Sequence, residues 1–86
     1  MTEQLQAALR ILRRRQVQAR TGRSRSSTYA DIKLGLFISP VPIGARAVGW
    51  PEGEVNEIVA ARIAGKSDGE IRALVAKLEA ARKTAA

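Results

Sequence analysis

The 86-residue chain contains no cysteine and no histidine. Their absence excludes disulfide bonds, thiolate and imidazole catalysis, and the usual ligands of a zinc site. No apolar run approaches the roughly 20 residues that a membrane-spanning helix needs, and the amino terminus lacks the apolar segment of a secretory signal. We therefore expect a cytoplasmic protein with no membrane contact, no metal and no cofactor.

The chain also lacks the features of an enzyme. A chain of this length forms one small domain with a modest core, which leaves little room for a large catalytic cleft. Asp31 and the scattered glutamates form no arrangement with a nucleophile, a base or a metal ligand. We therefore predict no catalytic residues.

Acidic residues are scarce in the first part of the chain. Residues 1–50 contain nine lysines and arginines against two acidic residues, whereas residues 51–86 contain six of each sign. The formal charge of +7 therefore lies in the first part, where eight of the nine cations are arginine. The planar fork of arginine suits phosphate oxygens and guanine edges. This segregation favours a polyanionic partner over a basic face that only keeps a small domain soluble. RNA is the weaker choice, because three aromatic residues are too few for stacking platforms.

Residues 17–36 have the pattern of a helix-turn-helix, VQARTGRSRSSTYADIKLGL. Gly22 can end the first helix in the left-handed backbone conformation, and Ser24 can cap the amide groups of the second. Gly35 supplies the same left-handed exit at the far end. The second helix is therefore the predicted recognition helix.

The recognition helix has two different faces. Thr28, Ile32 and Leu36 recur at helical spacing and are predicted to be buried. The opposite face carries hydrogen-bond donors and positive charge, and we expect it to enter the major groove: it consists of Arg25, Ser26, Tyr29 and Lys33. For Tyr29, packing of the ring with a hydroxyl–phosphate contact is the favoured alternative to base reading.

The residues before the recognition helix allow two interpretations. Residues 2–9 have helix-forming composition, with a stripe that includes Leu9 and Leu12; alternatively, residues 10–13 form a brief strand. The first helix of the motif, about residues 15–21, would bury Val17 and Ala19 or the stem of Arg20 and would need to pack on the second helix. Cations at its entrance oppose the helix dipole unless a phosphate lies nearby. The expected phosphate contacts are Arg13, Arg14, Arg15, Arg20 and Arg23.

A β-hairpin is predicted after Gly35. Pro40 and Pro42 exclude a helix there, and strand-forming residues alternate on either side of a tip at residues 44–46. A hairpin in this position is a wing. Its only charge is Arg46, which we expect to meet the minor groove or a phosphate rather than remain a solvated turn residue. Trp50 and Phe37 are predicted to plug the core rather than to stack on a ligand.

Two more helices are predicted. The first opens at Pro51 and runs to about residue 64, with a buried stripe of Val55, Ile58, Val59 and Ile63. The second opens at a capping box between Ser67 and Glu70 and runs to about residue 83. Its apolar stripe is Ile71, Leu74, Val75 and Leu78. This stripe either packs on the same domain or pairs with a second copy, and we slightly favour a homodimer through residues 67–83.

The segment from about residue 11 to residue 64 resembles the AlpA family of small phage and prophage regulators, relatives of excisionases and of MerR-type winged helix-turn-helix domains. Residues 19–29, ARTGRSRSSTY, are similar to a family pattern close to RTGLSRSTIY. Residues 33–37, KLGLF, are similar to KxGxFP, and PVPIGARAVGW follows at residues 40–50 with an acidic helix behind it. The chain departs from the pattern at Arg23, where leucine is usual, and at Pro40, where the usual proline is displaced.

The resemblance implies a sequence-specific DNA-binding protein, bacterial or phage-encoded and associated with the nucleoid. Such proteins activate or repress a promoter, often that of an integrase gene, or bend attachment-site DNA during excision. Carried over by position, the recognition-helix contacts are Ser24, Arg25, Ser26, Thr28 and Tyr29, and the wing contact is Arg46. The resemblance does not cover the last helix.

We therefore predict a mainly α fold with a small β-hairpin wing, a winged helix-turn-helix followed by an amphipathic helix. Residues 1–9 form an arm or short helix, residues 10–65 the DNA-binding domain, and residues 66–86 a helix for dimerisation or partner contact. Double-stranded DNA is the expected partner. The alternative is an interaction module whose last helix contacts a recombinase or a polymerase subunit, in which case removing residues 67–86 would leave DNA affinity intact.

Overall fold

The computed structural model describes residues 9–84. The elements in chain order are β1 (Ile11–Leu12), α1 (Arg14–Thr21), α2 (Arg25–Lys33), β2 (Val41–Pro42), β3 (Val48–Pro51), α3 (Glu52–Ile63) and α4 (Asp68–Thr84). The fold is a mainly helical winged helix-turn-helix with a small three-stranded sheet and a helix appended after it, as predicted. Nowhere in this described part is a helix sufficiently long and apolar to cross a lipid bilayer.

The turn between α1 and α2 forms as its glycine and serine predict. Gly22 has a φ of 73° and its N–H donates to the carbonyl of Gln18 at 2.8 Å. Ser24 Oγ accepts a hydrogen bond from the N–H of Ser27 at 3.1 Å, which caps α2. Gly35 has a φ of 76° and ends the helix, with its N–H and that of Leu36 bonded back into the last turn. All three predicted caps are confirmed.

The wing is a hairpin of β2 and β3, extended by β1 into an antiparallel sheet of order β1-β3-β2. Val41 pairs with Gly49 in the hairpin, and Leu12 pairs with Trp50 on the other side of β3. The N–H of Ile43 donates to the carbonyl of Ala47 at 2.9 Å, which places residues 44–46 at the tip. The predicted tip is therefore confirmed, and β1 confirms the brief strand. The helix interpretation of residues 2–9 lies outside the described residues, apart from Leu9.

Trp50 occupies the centre of the core. Its side chain is fully buried, and its indole N–H donates to the carbonyl of Ile38 at 3.0 Å, so its polar group is satisfied. Phe37 is also buried, which confirms the predicted plug. The buried hydrophobic residues are Leu12, Val17, Leu36, Phe37, Ile38, Trp50, Val55, Ile58, Ile71 and Val75. This core joins the sheet to the helices.

One predicted buried position is wrong, and one of two alternatives is excluded. Beside Val17, the alternatives were Ala19 and the stem of Arg20. Ala19 is exposed, because it lies roughly 200° around α1 from the buried Val17, and the Arg20 side chain is 38% exposed. Ile63 is 82% exposed. It is the last residue of α3 and lies roughly 80° around the helix from Val55, at the edge of the buried stripe. The centre of that stripe, Val55 and Ile58, is buried as predicted.

The last helix packs on the same chain. The N–H of Ser67 donates to Glu70 Oε1 at 3.0 Å, and the N–H of Glu70 donates to Ser67 Oγ at 3.2 Å, which confirms the capping box. Ile71 and Val75 are buried in the core, with Leu74 and Leu78 packed against it. The structure therefore shows the first of the two alternatives for this stripe. The apolar surface on which the expected homodimer depended is already covered within the chain.

Candidate nucleic-acid interface

A concentration of positive charge lies at the start of α1. The helix has no acidic residue in its first turn, and Arg13 immediately precedes it. The backbone N–H of Arg13 donates to Gln16 Oε1 at 2.8 Å, and Arg14 Nη1 donates to Gln18 Oε1 at 2.7 Å, so these hydrogen bonds go to neutral side chains. The positive end of a helix and neighbouring cations attract the same anion.

The wing tip and this helix start line the same cleft. Arg46 of the wing, Tyr29 of α2 and Val48 of β3 line a cleft of about 300 Å³ together with residues 13–15. Because residues four apart in a helix share a face, Arg25 and Lys33 lie one turn before and after Tyr29 on the same side of α2. The cleft thus joins three regions that the sequence singled out separately: the arginine run, the recognition helix and the wing.

Tyr29 connects this surface to the core. Its ring meets that of Trp50 edge to face, with the centroids 6.4 Å apart and an interplanar angle of 61°, while 38% of the residue remains exposed. An aromatic pair of this geometry stabilises the position of the exposed ring. The packing role expected for the Tyr29 ring is therefore present in the structure.

Ion pairing separates the cations into two groups. In the paired group Arg10 and Arg20 approach Glu52, Arg23 pairs with Asp31, Arg62 with Asp68, Lys66 with Glu70, and Arg82 with Glu54. Among residues 9–50 the cations that form no ion pair are Arg13, Arg14, Arg15, Arg25, Lys33 and Arg46. These residues line the cleft or lie on the adjoining face of α2, so the positive potential of the first part of the chain is concentrated there.

Arg20 and Arg23 lie apart from the cleft, although the sequence analysis placed them in the ring of phosphate contacts. Arg20 Nη1 is 2.5 Å from Glu52 Oε2, and the Glu52 side chain is only 5% exposed. Arg23 donates to both carboxylate oxygens of Asp31, at 3.1 and 3.0 Å. Both arginines line a different groove of about 650 Å³, between the helix-turn-helix and α3. Both guanidinium groups are therefore engaged in ion pairs within the chain.

Thr28 lies on the buried side of α2. It is 3% exposed, and its Oγ1 donates to the carbonyl of Ser24 at 2.8 Å. It was predicted both to be buried and, by position in the family pattern, to contact DNA; the burial is confirmed, and the contact stays a prediction. Ser24 itself is exposed, but its Oγ is engaged in the cap, whereas Ser26 is exposed on the surface of α2.

Two residues of this region were not found from the sequence. Val48 lines the cleft, and its place directly after the wing tip is the signal that could have identified it. Glu52 lies at the start of α3. Its pairing with Arg20 joins residues 32 positions apart, which local patterns do not reveal.

A comparison with known families gives a match over most of the chain. The sequence model described as "Prophage CP4-57 regulatory protein (AlpA)" matches residues 10–63. The chain belongs to the AlpA family. The AlpA match begins just before β1 and ends with the last residue of α3, so it contains the whole cleft but not α4.

One relative comes from a phage. The chain is 40% identical over 60 residues to the uncharacterized protein ORF88 of Enterobacteria phage P4, a match that covers 70% of this chain and 68% of ORF88. No solved structure matches this AlpA chain. Membership in a family of prophage regulatory proteins supports, at a coarse level, a regulatory role that involves DNA.

Proposed function

We propose that this AlpA protein is a sequence-specific transcriptional regulator that binds double-stranded DNA of a phage or prophage. The recognition helix α2 enters the major groove, and the wing meets the neighbouring minor groove or backbone. The observation that carries this proposal is the cleft in which Arg46, Tyr29 and residues 13–15 come together. A helix about 10–12 Å across fits a major groove about 12 Å wide.

The contacts divide into two kinds. Arg25 and Ser26, with Tyr29 and Lys33 on the same face of α2, approach the base edges, where an arginine fork can bind guanine. Residues 13–15 approach phosphates, since a phosphate at the start of α1 removes the cost of placing cations at the positive end of a helix. Arg46 extends the contact to the next groove.

The test begins with duplexes selected from a random pool, followed by affinity measurements over a salt series. Arg25→Ala is expected to cost about 1–3 kcal/mol on the selected duplex and to loosen base preference. Arg14→Ala is expected to weaken selected and random duplexes alike and to reduce the salt slope by roughly one. Lys77→Ala removes an exposed positive charge from α4 and serves as the control, with little effect on base preference.

Equal effects of Arg25→Ala on selected and random duplexes would contradict direct reading by α2. If the pool yielded no preferred sequence, the protein would be a nonspecific binder. An excisionase-like factor that bends DNA for site-specific recombination uses the same cleft, and a gel-mobility assay on duplexes with the site at permuted positions separates it from a regulator that leaves the duplex straight.

The interaction-module alternative is less well supported. Its partner helix, α4, has its apolar stripe packed on the core, with Ile71 fully buried. A recombinase or polymerase subunit would therefore have to bind the polar side of α4. A second copy of the chain, in a homodimer through this helix, would have to use the same side. Removal of residues 67–86 would also take Ile71 and Val75 out of the core, so we now expect it to damage DNA binding as well.

A further inference from the structure

Helix α4 holds both ends of the linker that joins the recognition helix to the wing, defined here as residues 34–40. At the first end, Arg72 Nε donates to the carbonyl of Leu34 at 2.8 Å, just after the last turn of α2. At the second end, the N–H of Ser39 donates to Glu79 Oε2 at 2.7 Å. The carbonyl of Ser39 accepts from Arg82 Nη2 at 2.8 Å, two residues before β2 begins.

The second end is held firmly. The Nε of Arg82 also donates to both carboxylate oxygens of Glu54, at 3.0 Å each, which ties α4 to α3 at the same place. The side chains of this pair are only 22% and 14% exposed. Hydrogen bonds to charged groups are stronger than neutral ones, and partial burial reduces their screening by water. Ser39 is thus held through both of its backbone polar groups.

The linker leads directly into β2, one of the two wing strands, so its geometry contributes to where the wing stands relative to α2. The middle of the linker, residues 36–38, is buried in the core, and its first end is bonded back into the last turn of α2. Residues 39 and 40, at the second end, belong to no helix or strand. A side chain that binds a ligand has to be positioned to within about 0.5 Å, which requires support from a surrounding layer of residues. At the wing, the pairing of β1 with β3 and the buried Trp50 supply part of that support, and α4, which lies outside the segment that the family model matches, supplies the contacts to Ser39.

We propose that α4 is part of the DNA-reading apparatus, with Glu79 and Arg82 as positioning residues that set the wing, and therefore Arg46, relative to the recognition helix. The inference rests on the proposed DNA-binding function. Glu79 and Arg82 act through the Ser39 backbone and touch no DNA themselves. Helix α4 then determines how far apart the two groove contacts fall, which affects the choice of DNA site.

The test is a double-mutant cycle between Arg46→Ala and two substitutions of Glu79. Glu79→Ala removes the acceptor for the Ser39 N–H, whereas Glu79→Gln retains an oxygen acceptor and makes the same change in net charge. Affinities for a selected duplex are measured by fluorescence anisotropy and corrected for the active fraction. Arg46→Ala is expected to weaken binding about tenfold in the wild-type and Glu79→Gln backgrounds, and less than about threefold with Glu79→Ala.

If Glu79 only stabilised the fold, Glu79→Ala would lower the melting temperature and the active fraction, but Arg46→Ala would still weaken binding about tenfold in that background. That result would overturn the inference. If Arg46→Ala had no effect in the wild-type background, the wing contact itself would be absent, and both this inference and the wing part of the proposed function would fail. Should Glu79→Ala not fold, Arg82→Lys takes its place in the cycle, because it keeps the charge but loses the fork that joins Glu54 to Ser39.

Discussion

The pairing of Arg20 with Glu52 predicts that Arg20 stabilises the fold rather than binds DNA. Glu52 is nearly buried at the start of α3, and Arg20 reaches it from the end of α1. Arg10 Nη1 lies farther from the same carboxylate, at 3.9 Å. Replacing Arg20 by alanine leaves a buried carboxylate with one weak partner. The substitution should therefore act on the free energy of unfolding.

The size of this effect follows from the burial of the two groups. Breaking a fully buried ion pair from one side costs about 3–5 kcal/mol. The Arg20 side chain is 38% exposed, so solvent screening reduces this figure, and the remaining Arg10 reduces it further. We expect Arg20→Ala to cost about 1–3 kcal/mol, which lowers the melting temperature of a domain of this size by about 4–8 °C per kcal/mol. Adding Glu52→Gln should recover part of the loss, because a neutral amide needs no counter-charge.

Denaturant unfolding monitored by Trp50 fluorescence measures the stability, and anisotropy over a salt series measures the DNA contacts. Arg15→Ala is the matched control, since Arg15 is exposed and lines the cleft. It should change stability by less than about 0.5 kcal/mol and reduce the salt slope by roughly one, the reverse of Arg20→Ala. If Arg20→Ala left the stability unchanged and reduced the salt slope, this reasoning would be refuted, and Arg20 would be a phosphate contact after all.

Two further predictions concern the wing and the last helix. A Cβ added at Gly49 would lie 2.3 Å from Ile11 Cγ2 and 3.0 Å from the carbonyl oxygen of Leu12. Gly49→Ala should therefore destabilise the protein by about 1–3 kcal/mol, measured by thermal melts. An unchanged melting temperature would show that β1 does not pack against Gly49. Hydrogen bonds from the Ser67 backbone and hydroxyl lower the pKa of Glu70, so its stabilising contribution is present above the ordinary carboxyl pKa and is lost as the pH falls through the lowered value. Melts from pH 7 to pH 2 should show this acid-dependent loss, and Glu70→Gln should remove it; identical pH profiles would contradict the capping role.

The features that the sequence predicts well are local ones. Gly22, Ser24 and Gly35 satisfy backbone groups within a few residues of themselves, so their caps follow from residue type and spacing alone. The hairpin is equally local, because Pro40 and Pro42 exclude a helix and the tip lies between two short strands. The buried Trp50 follows from its size and its apolar neighbours.

The features that the sequence did not predict depend on contacts between distant residues. In the sequence, Arg20 and Arg23 look like candidate DNA contacts for the same reason as Arg25: all three are cations in the helix-turn-helix. Only the three-dimensional positions of Glu52 and Asp31 show that Arg20 and Arg23 are paired. For the same reason, the sequence did not show whether the apolar stripe of α4 packs on the same chain or on a second copy. An amphipathic pattern shows that a face is buried but does not show which surface covers it. The placement of Ser39 between Glu79 and Arg82 spans some forty residues and has no local signal.

The central claim is that duplex DNA binds across α2, the start of α1 and the wing tip. The most direct test is an NMR titration of the protein with a duplex selected from a random pool, read out at the backbone amides. We predict large shift changes at residues 13–15, 25–33 and 44–47, with little change along the exposed side of α4. Shift changes confined to α4 or to the groove between α2 and α3, with none at the recognition helix and the wing tip, would contradict the account.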